Sequence, residues 1–138
     1  MGEDIRQVDM YSVPCKHKAG EGARVLAPLR DAGVNLIAFW GYPTKGGRAR
    51  LDFVPEDGAA LLAAAKQAKL KLGKKQSAIL AQGDDRPGAV ADILEKLAAA
   101  KINVEAVQGV CAGAGRFGAV LLLKPAAARK AAAILGAM

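Results

Sequence analysis

Shifting the chain against itself by 68 positions lays "GEGARVLAPLRDAGVNLIAFWG" (Gly20 to Gly41) over "GAVADILEKLAAAKINVEAVQG" (Gly88 to Gly109) without a gap. Gly20 meets Gly88, Leu26 meets Leu94, Leu29 meets Leu97, Asn35 meets Asn103 and Gly41 meets Gly109. Further on, Gly47-Arg48 meets Gly115-Arg116, and the alanine-rich stretch 59–65 meets 127–133. In so alanine-rich a chain, the aligned Gly, Leu and Asn positions carry the argument. Self-similarity at a fixed period marks one supersecondary unit used more than once. The chain reads as a tandem duplication with units 1–72 and 73–138, and because no disordered linker separates them, one continuous core or sheet is expected rather than two independent beads.

The hydrophobic period changes in the same order in both units. "YSV" and "SAILA" are short, β-prone runs ahead of polar, glycine-containing loops. Val90, Ile93, Leu94 and Leu97 then recur at helical spacing, which makes one buried face. The first unit keeps Val25, Leu26 and Leu29, but Pro28 is expected to kink or shorten its helix. "VNLIAFWGY" and "INVEAVQGV" follow as strands, then the turns "PTKGG" and "CAGAG", then the returning strands "RARLDFV" and "RFGAVLLL". "PEDGAALLAAAKQA" and "PAAARKAAAIL" announce second helices. The order is strand, helix, strand, strand, helix, twice. A fourth strand would complete a ferredoxin-like βαββαβ pattern in an α+β fold. "KLKLG" before Lys74 is placed to supply it in the first unit. In the second, the offset nominates the N-terminal "EDIRQV".

Composition narrows the functional classes. The chain has 138 residues, 52% of them apolar, with few aromatics, so its core is built from small aliphatic side chains. No apolar run approaches a membrane span, and "MGEDIRQVDM" lacks the pattern of a signal peptide, so the expectation is a cytoplasmic protein without a membrane partner. Two cysteines, Cys15 and Cys111, make no disulfide framework or metal motif and are expected to pack as small hydrophobes. The single histidine, His17, excludes a site that needs two imidazoles, and neither a metal nor a cofactor is expected. The net charge of +7 suits an anionic ligand as well as a solvated surface. Lys66, Lys69, Lys71, Lys74 and Lys75 read as a solvated helix end and linker. Trp40 and Tyr42 share one face of a strand with Ala38 and are expected to pack under a helix.

The segment "GDDRPGAV" (Gly83 to Val90) falls between a strand end and a helix start, where backbone N–H groups lack partners and the helix dipole favours negative charge. Gly88 permits close approach to the backbone, Pro87 stiffens the helix entry, and Asp84 or Asp85 can cap the first turn. Such a loop suits a small carboxylate or phosphate. With an acidic side chain beside it, it also suits a zwitterion, carboxylate on the amides and ammonium on an aspartate, which points towards an amino acid. Asn103, at the start of the following strand, adds a donor and an acceptor, although asparagine equally serves such a junction structurally.

Gly83-Asp84-Asp85-Arg86-Pro87-Gly88-Ala89-Val90, with Ile93, Leu97 and Ile102-Asn103-Val104, resembles the ACT domain, the amino-acid-sensing module attached to many enzymes of amino acid metabolism. The resemblance implies ferredoxin-like units paired side by side into a larger antiparallel sheet with helices on one face. It implies an amino acid effector held between units, by the first strand-to-helix loop of one and the second strand of the other. On this chain that nominates Asp84, Asp85, Arg86, Pro87, Gly88 and Ala89, followed by Asn103 and Val104, with Asn35, Leu36 and Ile37 across the interface. The corresponding loop of the first unit departs from the pattern: Lys16, His17, Lys18 and Ala19 replace its residues and only Gly20 is kept, which makes it an altered second site. A homodimer that regulates a metabolic enzyme or transporter is the expectation.

Catalysis finds no support in the motifs. "GAGRFG" (Gly113 to Gly118) matches a dinucleotide fingerprint literally but falls in a strand-to-strand turn. The alternative from another class is RNA binding, since RNA-recognition motifs share this strand order and stack bases on strand aromatics. Here only Phe117 of "RFGAV" fits that pattern, so nucleic acid is not the expected partner. A purely partner-docking protein on the same fold is the other alternative.

Overall fold

The computed structural model describes residues 4–137. Ten elements follow in order: β1 (Asp4–Lys16), α1 (Glu21–Asp31), β2 (Leu36–Pro43), β3 (Arg48–Pro55), α2 (Gly58–Gln67), β4 (Gln76–Asp84), α3 (Ala89–Ala99), β5 (Ala106–Gly113), β6 (Arg116–Leu122) and α4 (Pro125–Leu135). The order strand, helix, strand, strand, helix thus occurs twice in an α+β fold of ferredoxin-like type. The chain divides into two compact units: Asp9–Lys75, and the start of β1 through Val8 together with the chain from Gln76 onward.

In the unit Asp9–Lys75 the antiparallel order is β2-β3-β1, with Phe39 opposite Phe53 and Val13 opposite Leu51. Alternation sends Tyr11, Val13, Cys15, Ala49, Leu51 and Phe53 to one face, where they meet Val25 and Leu29 of α1 and Leu61 and Ala64 of α2. Cys15 is packed as expected of a small hydrophobe. α1 runs through Pro28 for 11 residues, the length of α3, so the proline does not shorten it. Proline withholds only the bond to the Arg24 carbonyl, and Arg24 faces solvent, where water satisfies that group.

The opposite face of the same strands carries a polar group. Asp52, 1% exposed, accepts hydrogen bonds from Ser12 Oγ at 2.6 Å and Arg50 Nε at 3.0 Å. The register sets Trp40 opposite Asp52 and Tyr42 opposite Arg50, so both aromatics stand on this face and not under a helix. Burial first, and then the Asp52 charge, pushes the Tyr42 phenol above its ordinary value. "KLKLG" is not a strand: Lys69, at φ 59, turns the chain out of α2, Leu70 and Leu72 pack on the core, and the Gly73 N–H donates to the Ser12 carbonyl at 2.7 Å. The five lysines of this region are exposed.

The other unit is built the same way. Antiparallel β4, β6 and β5 place Ile79, Ala81, Phe117, Ala119 and Leu121 under Ile93 and Leu97 of α3 and Ala128 and Ala131 of α4. The start of β1 lies beside β4 and supplies the fourth strand that the offset nominates. Ile5 enters this core at 6% exposure, and Asp4 pairs with Arg116 at 3.5 Å. Left-handed residues recur at the 68-residue offset: Gly20 and Gly88, Gly33 and Lys101, Gly46 and Ala114, Gly47 and Ala's neighbour Gly115 all have positive φ.

Removing three carbons from a buried isoleucine loses transfer free energy and leaves a cavity. Ile5→Ala is therefore expected to cost about 2–4 kcal/mol, read as a lower urea midpoint at unchanged slope. An unchanged midpoint would place the start of β1 outside the core.

Candidate functional site

The loop after β4 is shaped by two backbone devices. The Asp85 N–H donates to the Gly115 carbonyl at 2.8 Å, which ties the loop to the β5–β6 turn. Gly88, at φ 78, then turns the chain into α3 as its N-cap, a conformation that side chains disfavour. No side chain caps this helix, so neither aspartate does. Asp84, at the end of β4, pairs instead with Arg116 at 3.4 Å, and Arg86 pairs with Asp92 at 2.8 Å. Asp85 accepts from Cys111 Sγ at 3.1 Å, so Cys111 is an exposed thiol at the site rather than a packed one.

These residues border an open cleft of about 380 Å3. Asp85, Arg86, Gly88 and Ala89 form one side, and β5 forms the other through Gly109, Val110 and Cys111. Phe117 closes the floor at 7% exposure. Chemically this is a carboxylate beside the uncapped, partially positive end of a helix, with an apolar wall opposite. Val110 is 68% exposed, and β5 from Ala106 to Gly113 contains no charged residue. Sequence reasoning passed over this β5 wall; the alignment of Gly41 with Gly109, next to the hairpin that folds back on the loop, is the signal that would have found it.

The other unit repeats the frame and fills it differently. The His17 N–H donates to the Gly47 carbonyl at 2.9 Å, and Gly20, at φ 90, is the N-cap of α1. Lys16, Lys18 and His17 line a cleft of about 230 Å3 with Tyr42, while Ala19 is exposed beside it. Glu21 enters this cleft from the first turn of α1. Its carboxylate accepts the Lys16 backbone N–H at 3.2 Å and pairs with Arg24 at 2.8 Å. The hydrogen bond from Arg24, and after it the one from the Lys16 amide, holds the Glu21 carboxyl below the ordinary glutamate value. At the 68-residue offset the position of Glu21 is Ala89. The smaller cleft therefore holds a carboxylate on the first turn of its helix, where the larger has alanine and keeps its carboxylate, Asp85, on the loop.

The remaining nominated residues lie elsewhere in their units. Pro87 is exposed in the loop. Asn103 follows α3, at the opposite end of the helix from Asp85, roughly 16 Å away along 11 residues at 1.5 Å each. Val104 packs against the core. Asn35 holds the equivalent position, where its Nδ2 donates to Glu56 Oε2 at 3.1 Å. Leu36 packs against its own core, and Ile37 sits at a register shift in β2. Among the described residues, no group of three or more His, Cys, Asp or Glu side chains is placed to hold a metal ion, and no helix is long and apolar enough to cross a membrane.

No family model matches the chain, and no curated protein matches it. Solved structures do. A protein from Bacteroides thetaiotaomicron superposes with a TM-score of 0.82 at 17% identity, over 96% of this chain and 88% of that one. The ligand-free regulatory subunit of aspartate kinase from Thermus thermophilus superposes at 0.67 and 15% identity, over 99% and 95%. A putative C-terminal regulatory domain of aspartate kinase from Porphyromonas gingivalis superposes at 0.54 and 12% identity, over 98% and 95%. At these identities the likeness shows the fold alone, an ACT-type α+β fold. That fold is shared with structures described as a regulatory subunit and a regulatory domain of aspartate kinase, over nearly the whole of each chain.

Because its folded-state value is depressed, Glu21 contributes stability that is complete above its unfolded-state pKa and is lost as pH falls through the folded one. Side-chain carboxyl NMR is expected to show Glu21 titrating below the ordinary glutamate value. A midpoint at or above that value would show that the Lys16 and Arg24 contacts do not persist in solution.

Proposed function

We propose that this chain is a non-catalytic regulatory protein of two ACT-like units in tandem, which binds a free amino acid and acts on a metabolic enzyme or transporter in the cytoplasm. The observation that carries the reading is the contrast between the two equivalent clefts. One is occupied by the Glu21 carboxylate. The other has alanine at that position, a larger volume, and Asp85 facing it. The anion that Glu21 supplies internally in one unit is supplied from outside in the other. An amino acid meets both demands: its carboxylate takes the uncapped start of α3 and its ammonium takes Asp85. Asp84 is already engaged with Arg116, which favours Asp85 as the ligand-facing aspartate. The shared fold with proteins described as regulatory subunits and domains of aspartate kinase supports this reading.

The cleft is walled on one side by β5, a strand without charges and with Val107 and Val110 exposed. Such an edge invites strand pairing. In the proposed homodimer a second copy pairs here and covers the ligand. Ligand then favours one association state or arrangement over another, and the partner enzyme reads that shift. RNA binding is disfavoured on a specific point: Phe117, the aromatic on which a base would stack, is buried in the core.

Thermal unfolding against the twenty amino acids tests the proposal. A ligand at 100 times its dissociation constant is expected to add about 2.7 kcal/mol to the stability of the folded state, and a panel without any selective shift would remove the reading. Asp85→Ala with Gly88→Val is expected to abolish that shift. Valine at the left-handed Gly88 costs roughly 1–2 kcal/mol by itself, so circular dichroism must show the variant folded; unchanged affinity in the folded variant would exclude this cleft. Calorimetry is expected to give one ligand per wild-type chain and a second, weaker site in Glu21→Ala.

A further inference from the structure

At the far end of α3 from Asp85, the unit from Gln76 onward has a second depression, of about 350 Å3, lined by Lys101, Lys124 and Lys130 together with Asn103 and Glu105. Three lysines and one glutamate leave two positive charges. Among the described residues, none of these four side chains takes part in an ion pair, whereas Arg24, Arg30, Arg50, Arg86 and Arg116 all do. Glu105 offsets only one of the three lysine charges, and the like charges that remain repel one another.

The equivalent place in the other unit shows what is missing. There Asn35 and Glu56 form a reciprocal clasp: Asn35 Nδ2 donates to the Glu56 carboxylate at 3.1 Å, and the Glu56 N–H donates to the Asn35 carbonyl at 2.9 Å. At the 68-residue offset Asn35 becomes Asn103, but Glu56 becomes Lys124. Lysine has no acceptor for the amide. Gly33 becomes Lys101, which stays in the left-handed region at φ 58, where a side chain is unfavourable. Two substitutions, one of them at a conformational cost, thus replace a closed acidic clasp by an open basic one. Two of the carbonyls at the end of α3, those of Leu97 and Ala98, are engaged by the N–H groups of Ile102 and Lys101 at 2.9 Å each, and the lysines outweigh the residual negative end of the helix. The first turn of α4, whose Ala126 and Ala127 line the depression, contains no acidic residue.

We propose that this depression binds the phosphate group of a small anionic molecule, with Asn103 donating as Asn35 does to Glu56 and the three lysines as counter-charges. A doubly charged phosphate matches the net charge of the lining, and lysine serves phosphate as a compact point charge. The volume, at the low end for ligand sites, accommodates a phosphomonoester or diphosphate rather than a large cofactor. The site is separate from the Asp85 cleft and does not depend on the amino acid reading.

Inorganic pyrophosphate, at fixed ionic strength, is the probe. It is expected to raise the unfolding temperature of the full chain and to shift the Asn103 side-chain amide resonances. Lys124→Glu rebuilds the Asn35–Glu56 clasp and so keeps the fold; it is expected to weaken pyrophosphate at least tenfold while raising the stability of the bare protein. Lys101→Gly is expected to do both as well, a combination that a purely structural lysine would not produce. Lys71→Ala with Lys74→Ala, which removes two charges elsewhere, leaves binding unchanged. Absence of a shift in the wild type, equal binding by Lys124→Glu, or equal weakening by the Lys71 and Lys74 control would overturn the proposal. A response to single-stranded RNA without one to pyrophosphate would overturn it in favour of a nucleic-acid surface. The amino acid response is read at the Asp85 cleft in every variant, so the two proposals fail separately.

Discussion

One backbone hydrogen bond, made once in each unit, holds the strand-to-helix loop against the hairpin turn: His17 N–H to the Gly47 carbonyl, and Asp85 N–H to the Gly115 carbonyl. The geometry of both clefts follows from it. The loop must leave the strand and enter the helix within a few residues, which only a left-handed residue allows, hence Gly20 and Gly88. The hairpin turn must present a carbonyl to the loop, and its paired positive-φ residues, Gly46-Gly47 and Ala114-Gly115, provide that shape. With loop and turn joined, the start of the helix and the second strand of the unit face each other across a gap that side chains either fill or leave open. The frame is main chain throughout, so it survives extensive side-chain exchange.

That frame was legible in the sequence because glycine at a left-handed position is a local requirement that leaves a visible mark, and two copies of the mark at one offset reinforce each other. The buried stripes of α1 and α3 were legible for the same reason, since Val25 and Leu29, like Ile93 and Leu97, must reach one core. The use of "DIRQV" as a strand could be inferred only from the offset, because its single core residue, Ile5, gives no periodic signal, while Glu3, which the offset also nominates, lies outside the described residues. Features set by tertiary surroundings were not legible. Pro28 is tolerated because the carbonyl it leaves without a partner belongs to Arg24, an exposed residue. Trp40 and Tyr42 share a face as alternation requires, but which face depends on the register with β3 and on Asp52, 12 residues beyond Trp40 in the chain. At the candidate site the loop residues were read, whereas the β5 wall and Glu21 were not. The wall becomes visible only once the hairpin is folded back, and a lone glutamate at a helix start looks like any favourable first-turn charge.

The two units differ less in shape than in where they keep their negative charge. At the start of the first helix, Glu21 in one unit is replaced by Ala89 in the other. At the start of the second helix, Glu56 is replaced by Lys124. Both glutamates bind groups that the fold itself leaves exposed, a loop N–H in the first case and an asparagine amide in the second. A unit that carries them satisfies its own helix-end and junction donors. A unit that lacks them has no glutamate for the equivalent donors on the same frame. Water satisfies such groups at little cost when they are exposed, so the loss of both glutamates is tolerable for folding and requires no ligand to explain the fold. What it changes is specificity: an internal carboxylate competes with any external anion at effectively high local concentration, and its removal lifts that competition. The unit Asp9–Lys75 thus carries a glutamate of its own at each of its helix starts, and the unit from Gln76 onward has alanine and lysine at the equivalent positions, so the same frame is finished from within in one copy and left to its surroundings in the other.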